Sequence, residues 1–219
     1  MARPTRLHCT SPGVPNHVVL RGNNRRNLFS YSNDRQQFLR LLIRYSKLHA
    51  CAFHNIALLT NHVHLVVTPQ TVEGLSSCIK SISQSYAQYR NGRRKSTGKL
   101  FEQRFWSKPM KSDAQMMVVS AYVDLNPIVA GLPNSQRGWT TLGIHSGEGT
   151  MGHIPEAAWS PSPWYLALGE NPATRAHAYC LWLATYQTRG LETPEEAARV
   201  VSSETDRRRV ERPDRSSAR

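Results

Sequence analysis

The chain has 219 residues, 39% hydrophobic and 8% aromatic, with 28 Lys+Arg against 15 Asp+Glu and a net charge of +13. This supports a globular protein with one sizeable core and an appendage, or two small cores. No run approaches the roughly 18 apolar residues of a membrane-spanning helix, and the start lacks an apolar signal core, so a soluble, cytoplasmic protein is expected.

The charge is unevenly placed. Residues 1–111 hold 18 basic and 3 acidic side chains, whereas residues 190–219 hold 7 of each. A polyanion partner for the first half follows, and nucleic acid is the commonest one. Cys9, Cys51, Cys78 and Cys180 are scattered without a Cys-x-x-Cys pair, which points to buried thiols rather than a disulfide frame or a zinc knuckle.

In chain order, residues 1–16 read as an arm or loop, and Asn16–Arg21 as a short strand. The following turn, Gly22-Asn23-Asn24-Arg25-Arg26, offers Arg forks and amides to phosphates or base edges, or is simply a solvated turn. Asn33 or Asp34 is placed to cap a helix running to about residue 49, with Phe38, Leu41, Leu42 and Tyr45 as its apolar stripe. Residues 51–59 and 62–68 are β-branched or apolar runs joined by a tight connection, the pattern of an antiparallel hairpin.

A helix is predicted over 75–90, followed by a flexible basic loop carrying Arg90, Arg93, Arg94, Lys95 and Lys99. Residues 100–108 read as strand-like and mix Arg104 and Lys108 with Phe101, Phe105 and Trp106. Cations interleaved with aromatics suit single-stranded or distorted nucleic acid, though each aromatic is equally placed to be core. Asp113 is expected to cap an almost wholly apolar helix that Asn126-Pro127 ends or kinks.

This order predicts an α+β fold: a ferredoxin-like antiparallel sheet with helices on one face and its other face open. The expected organisation is a domain over 1–145, a small Trp-rich helical appendage over 146–190, and a charged, partly disordered tail over 191–219.

His62 and His64 flank one residue on the second strand of the hairpin, so both imidazoles stand on one sheet face. Two neutral imidazoles so placed can start a divalent-metal site, or be polar residues on an outer face. Tyr86, Tyr89 and Tyr122 are all helical tyrosines able to act as nucleophiles. His54 is a possible addition to the site; His8, His17 and His49 read as surface or packing residues.

Four motifs in order carry a resemblance. They are His17-Val18-Val19-Leu20-Arg21-Gly22-Asn23-Asn24-Arg25, Asn61-His62-Val63-His64-Leu65, Leu100-Phe101-Glu102-Gln103-Arg104-Phe105, and Tyr122-Val123-Asp124-Leu125-Asn126-Pro127-Ile128-Val129-Ala130-Gly131-Leu132. Over about residues 12–145 the chain resembles the single-tyrosine HUH transposases of the IS200 type, and within them the REP-associated tyrosine transposases. A weaker echo runs through residues 160–169.

The resemblance implies that His62 and His64 bind Mg²⁺ or Mn²⁺ and that Tyr122 is the nucleophile. The substrate would be single-stranded or hairpin DNA at palindromic, REP-like repeats, cut and rejoined through a 5′-phosphotyrosine link. Asn126, four residues after Tyr122 on the same helix face, is the expected third ligand, since an amide oxygen suits a hard cation. Family members vary at that position.

Arg21, Asn23, Asn24, Arg25, Arg26, Arg90, Arg93, Arg94, Lys95, Lys99, Arg104, Trp106 and Lys108 are the expected DNA contacts. Localisation near a prokaryotic nucleoid follows from the same reading, while monomer and homodimer stay open. The alternatives are a relative that grips a hairpin without cutting it, and an RNA-binding ferredoxin-like module.

Overall fold

The computed structural model describes residues 11–102, 104–133, 139–146 and 153–188. His8, Cys9, Gln103 and the expected charged tail lie outside them. In the first strand, β1 (Asn16–Arg21), Val18 and Leu20 are fully buried, while Arg21 is exposed. That alternation sends His17, Val19 and Arg21 to the opposite sheet face from Val18 and Leu20.

The elements that follow are α1 (Ser32–Leu48), β2 (Cys51–Leu58), β3 (His62–Pro69), α2 (Gly74–Arg94), β4 (Trp106–Pro109) and α3 (Asp113–Val129). Beyond α3 come single helical turns at Leu142–His145 and Pro163–Leu166, then α4 (Pro172–Thr188). The strands form one antiparallel sheet in the order β2-β3-β1-β4. The hairpin predicted for β2 and β3 is present, and β1 lies on the other side of β3.

One sheet face buries Val18, Leu20, Ile56, Leu58, Leu65 and Val67 against Phe38 and Leu42 of α1 and Ile79, Ile82 and Tyr86 of α2. This is the expected α+β layer. The second face is not open: α3 lies on it, with Ala57 and Val66 packed against Met116, Val119 and their neighbours. The nearly all-round apolar surface of α3 explains why it needs cover on both sides. The sheet supplies one side, and Trp164, Tyr165, Tyr179 and Leu183 from the later segment supply the other.

Four local expectations shift. Helix α1 begins at Ser32, and Asp34 serves it by reaching back to the backbone N–H groups of Ser30 (2.9 Å) and Tyr31 (3.2 Å). Helix α2 runs on through Arg90 to Arg94 and ends at Lys95, which adopts a left-handed φ of 50°. Cations in that last turn sit favourably against the helix dipole. Pro127 lies within α3 rather than ending it, since its fixed φ is itself helical and only two residues follow it in the helix. Cys51 and Cys78 are buried as expected, but Cys180 is exposed on α4.

Candidate active site

The site is built where β1, β3 and α3 meet on the second sheet face. The β1–β3 register sets Arg21 opposite His62 and Val19 opposite His64. Side chains of β1 at alternate positions therefore join the two histidines. The ring centroids of His62 and His64 are 4.9 Å apart. His62 Nδ1 lies 2.7 Å from Asn61 Oδ1, while the same amide donates through Nδ2 to the Arg25 carbonyl at 3.3 Å. An amide oxygen only accepts, so His62 carries its proton on Nδ1 and presents Nε2 as a lone pair.

His64 is 5% exposed, and its Nδ1 lies 3.0 Å from His17 Nε2. Burial, then the Arg21 guanidinium, holds His62 down to about 4. Burial, then the neighbouring His17, His62 and Arg21, holds His64 well below its ordinary value. Both imidazoles are neutral at pH 7, the form that ligates a metal.

Tyr122 reaches this pair from α3. Its ring meets His64 edge-on at 5.4 Å and His17 edge-on at 5.9 Å between centroids. Asn126 lies one turn further along the same helix and is half-buried. The other tyrosines are elsewhere. Tyr86 is fully buried on the α1/α2 face, donates to the Leu28 carbonyl at 2.9 Å, and is pushed up by burial. Tyr89 lies with it, near Asp34 and Arg93. His54 is spent between the Ser160 carbonyl and Thr68 Oγ1, at 2.8 and 2.9 Å.

Two anchors hold α3 across the sheet. Ser120 Oγ donates to Asn55 Oδ1 on β2 at 2.8 Å. Asp124, fully buried, accepts from Thr141 Oγ1 (2.6 Å), His145 Nδ1 (2.7 Å) and Tyr179 Oη (2.7 Å). Trp159 Nε1 donates to His145 Nε2 at 3.2 Å. An indole N–H only donates, so His145 Nε2 accepts and its Nδ1–H is the donor to Asp124. Sequence reading missed this cluster because its members lie as far apart as residues 124 and 179.

The expected DNA contacts divide. The turn after β1 closes tightly over Gly22, where a Cβ would come within 2.2 Å of the Arg26 carbonyl oxygen. Asn24 and Arg25 adopt left-handed φ values of 51° and 56°. The turn exposes Asn24, Arg25 and Arg26, with Asn23 half-buried and Arg21 exposed just before it. It is tied to the β3 entrance by Gly22 N donating to the Asn61 carbonyl at 2.9 Å.

Asn23 N and Glu102 N in turn bond Leu100 O and Arg21 O, at 2.8 and 3.0 Å. The exposed Lys99 and Arg104 are thus brought to the same end of the sheet. Trp106, 48% exposed, meets His17 edge-on at 5.4 Å, and Lys108 pairs in register with His17. Phe101 and Phe105 belong to the core.

Arg90 is corrected. It is 2% exposed and turned inward, donating to the Leu28 and Asn27 carbonyls at 2.7 and 3.2 Å, so it is a structural cation rather than a DNA contact. Arg93 bonds Asp34 at 2.8 Å, Arg94 bonds the Ser30 hydroxyl, and Lys95 is exposed at the helix end. The first half of the predicted loop, Arg90–Arg94, is therefore helix.

The family model described as transposase IS200 like matches residues 11–126. The chain belongs to the IS200-like transposase family. No curated protein matches it significantly. A solved structure described as a REP-associated tyrosine transposase bound to a REP hairpin is similar, with a TM-score of 0.56 and 17% identity. The alignment covers 74% of this chain and 93% of that one, a likeness of fold. No described helix of this IS200-like transposase is long and apolar enough to cross a membrane.

Proposed function

We propose that this IS200-like transposase cleaves and rejoins single-stranded DNA beside hairpins, with Tyr122 as nucleophile and a divalent cation, Mg²⁺ or Mn²⁺, at His62 and His64. The approach of Tyr122 to His64 within one chain carries the reading. The donor set fits such a cation: His62 and His64 are neutral imidazoles, His62 presents Nε2, and Asn126 offers a neutral oxygen one turn from Tyr122. An amide oxygen of that kind is an acceptable ligand for a hard cation.

When bound, the cation offsets charge that builds on the phosphate oxygens during displacement. The chain does the rest. Tyr122 Oη gives up its proton and forms a bond to phosphorus as the bond from phosphorus to the 3′-oxygen breaks, and the 3′-oxygen takes up a proton, so no net proton is gained or lost. The product is a 5′-phosphotyrosine and a free 3′-OH, and the same steps reversed rejoin the strand without ATP. Trp106 offers a base-stacking surface beside the site, while Arg21, Arg25, Arg26, Lys99, Arg104 and Lys108 neutralise flanking phosphates. The REP-hairpin complex of the similar structure supports a hairpin as the partner. Within this reading residues 1–145 are the chemical unit and 146–190 a buttress for the helix that carries Tyr122.

The test uses end-labelled hairpins with single-stranded flanks, with Mg²⁺, Mn²⁺ or chelator. The expected result is a metal-dependent covalent adduct that Tyr122→Phe abolishes. An adduct that survives the substitution overturns Tyr122 as nucleophile, and tight hairpin binding with no adduct favours a binder that does not cut.

A further inference from the structure

His17 read from sequence as a packing residue, yet it lies 3.0 Å from a nitrogen of the site. His17 and His64 are diagonal neighbours across β1 and β3, each less than a tenth exposed, and the contact joins His17 Nε2 to His64 Nδ1. Between two neutral ring nitrogens at this distance one donates and the other accepts. If His17 donates, His64 keeps its own proton on Nε2, and that nitrogen has no lone pair for a metal. If His17 accepts, His64 is the Nδ1–H tautomer and Nε2 is the ligand.

The neighbouring His62 is held in the second way already, through Nδ1 on the side-chain amide oxygen of Asn61. A fixed acceptor on the distal nitrogen sets both tautomer and ring orientation of a metal-binding histidine. We propose that His17 is a positioning residue that accepts the Nδ1 proton of His64 and so turns His64 Nε2 toward the divalent cation. This rests on the metal reading of His62 and His64 given above.

The role demands an acceptor at the position of His17 Nε2, which the Gln side-chain oxygen can supply and a Phe ring cannot. The full chain is titrated with Mn²⁺ alone, read by the loss of the free-ion electron paramagnetic resonance signal, for wild type, His17→Gln, His17→Phe and His64→Ala. Tautomers are read in the metal-free wild type from long-range ¹H–¹⁵N correlations of the imidazole nitrogens. The expected results are an Nδ1–H tautomer at His64, Mn²⁺ affinity reduced about 10–100-fold in His17→Phe, and affinity largely kept in His17→Gln.

An Nε2–H tautomer at His64 in the wild type overturns the proposal even if no variant folds. Wild-type affinity in His17→Phe, with His64→Ala impaired, overturns it while leaving the metal site standing. Loss in His17→Phe as complete as in His64→Ala, unrescued by Gln, makes His17 a ligand itself and overturns the positioning role. Mn²⁺ binding untouched by His64→Ala removes the metal reading, and this proposal with it.

Discussion

Asp124 on α3 and Tyr179 on α4 meet at 2.7 Å with no exposure to solvent, only two residues along the helix from Tyr122. A hydrogen bond to a buried carboxylate ties the helix of Tyr122 to a segment 55 residues away in sequence. Thr141 and His145 complete the same cluster, so the carboxylate has donors from two stretches of chain.

Removing that carboxylate leaves buried donors without an acceptor. Asp124→Ala should lower stability by about 3–5 kcal/mol, and Tyr179→Phe by about 1.5–3 kcal/mol. Urea unfolding of each variant checks this. A loss below about 1 kcal/mol for Asp124→Ala would mean that the cluster does not hold α3.

Arg90 and Arg21 should behave oppositely despite their shared charge. Arg90→Met removes a donor from the Leu28 and Asn27 carbonyls and the guanidinium that lies 3.8 Å from the buried Asp34 carboxylate, and should destabilise the fold by about 3 kcal/mol or more. Where the variant folds, its DNA binding should have an unchanged salt dependence. Arg21→Ala should leave stability nearly intact and reduce the slope of log affinity against log salt by about 1. Binding isotherms at several salt concentrations read both, and equal slopes for wild type and Arg21→Ala would remove Arg21 from the contact set.

Trp106 stands half-exposed beside His17, where stacking with a base costs no core packing. Trp106→Ala should change stability by less than about 1 kcal/mol yet weaken single-stranded DNA binding by about 1–3 kcal/mol. Fluorescence anisotropy with a labelled oligonucleotide measures the second quantity. Undiminished affinity would place Trp106 outside the path of the strand.

Acid should weaken the fold well before its carboxylates titrate. Burial lowers His54, His62 and His64 below 6.5, His62 to about 4. Between the unfolded and folded values the unfolded chain binds more protons, so stability rises with pH there. The contribution is whole above about pH 6.5 and is lost as pH falls from there toward 4. Thermal unfolding from pH 7.5 to 5 should show a falling Tm, less steep in His54→Gln. A flat profile would show that these imidazoles titrate alike folded and unfolded.

The elements most legible in the sequence were those whose pattern is local. A β-branched apolar run marked β3, a short apolar run closed by a turn marked β1, the apolar stripe of 38–45 marked α1, and the two-residue period alone put His62 and His64 on one face. The pairing of β1 with β3 is not local, and without it nothing distinguished His17 from a packing residue. The inward turn of Arg90 was hidden for the same reason. Its partners, the Leu28 and Asn27 carbonyls, are backbone groups some sixty residues away, which side-chain composition does not reveal. The cover over α3 needed the fold as well: an all-round apolar helix announces burial but not what buries it.

His64 and Tyr122 face each other from strands of logic written in a single polypeptide, and that has a genetic consequence. Two defective copies, one carrying His64→Ala and the other Tyr122→Phe, contain between them every group the site uses. In the described arrangement Tyr122 lies against the histidines of its own chain, on the helix that Asp124 anchors. Under the proposed mechanism co-expressed alleles of this pair should fail to complement, and complementation would show that two copies share one site.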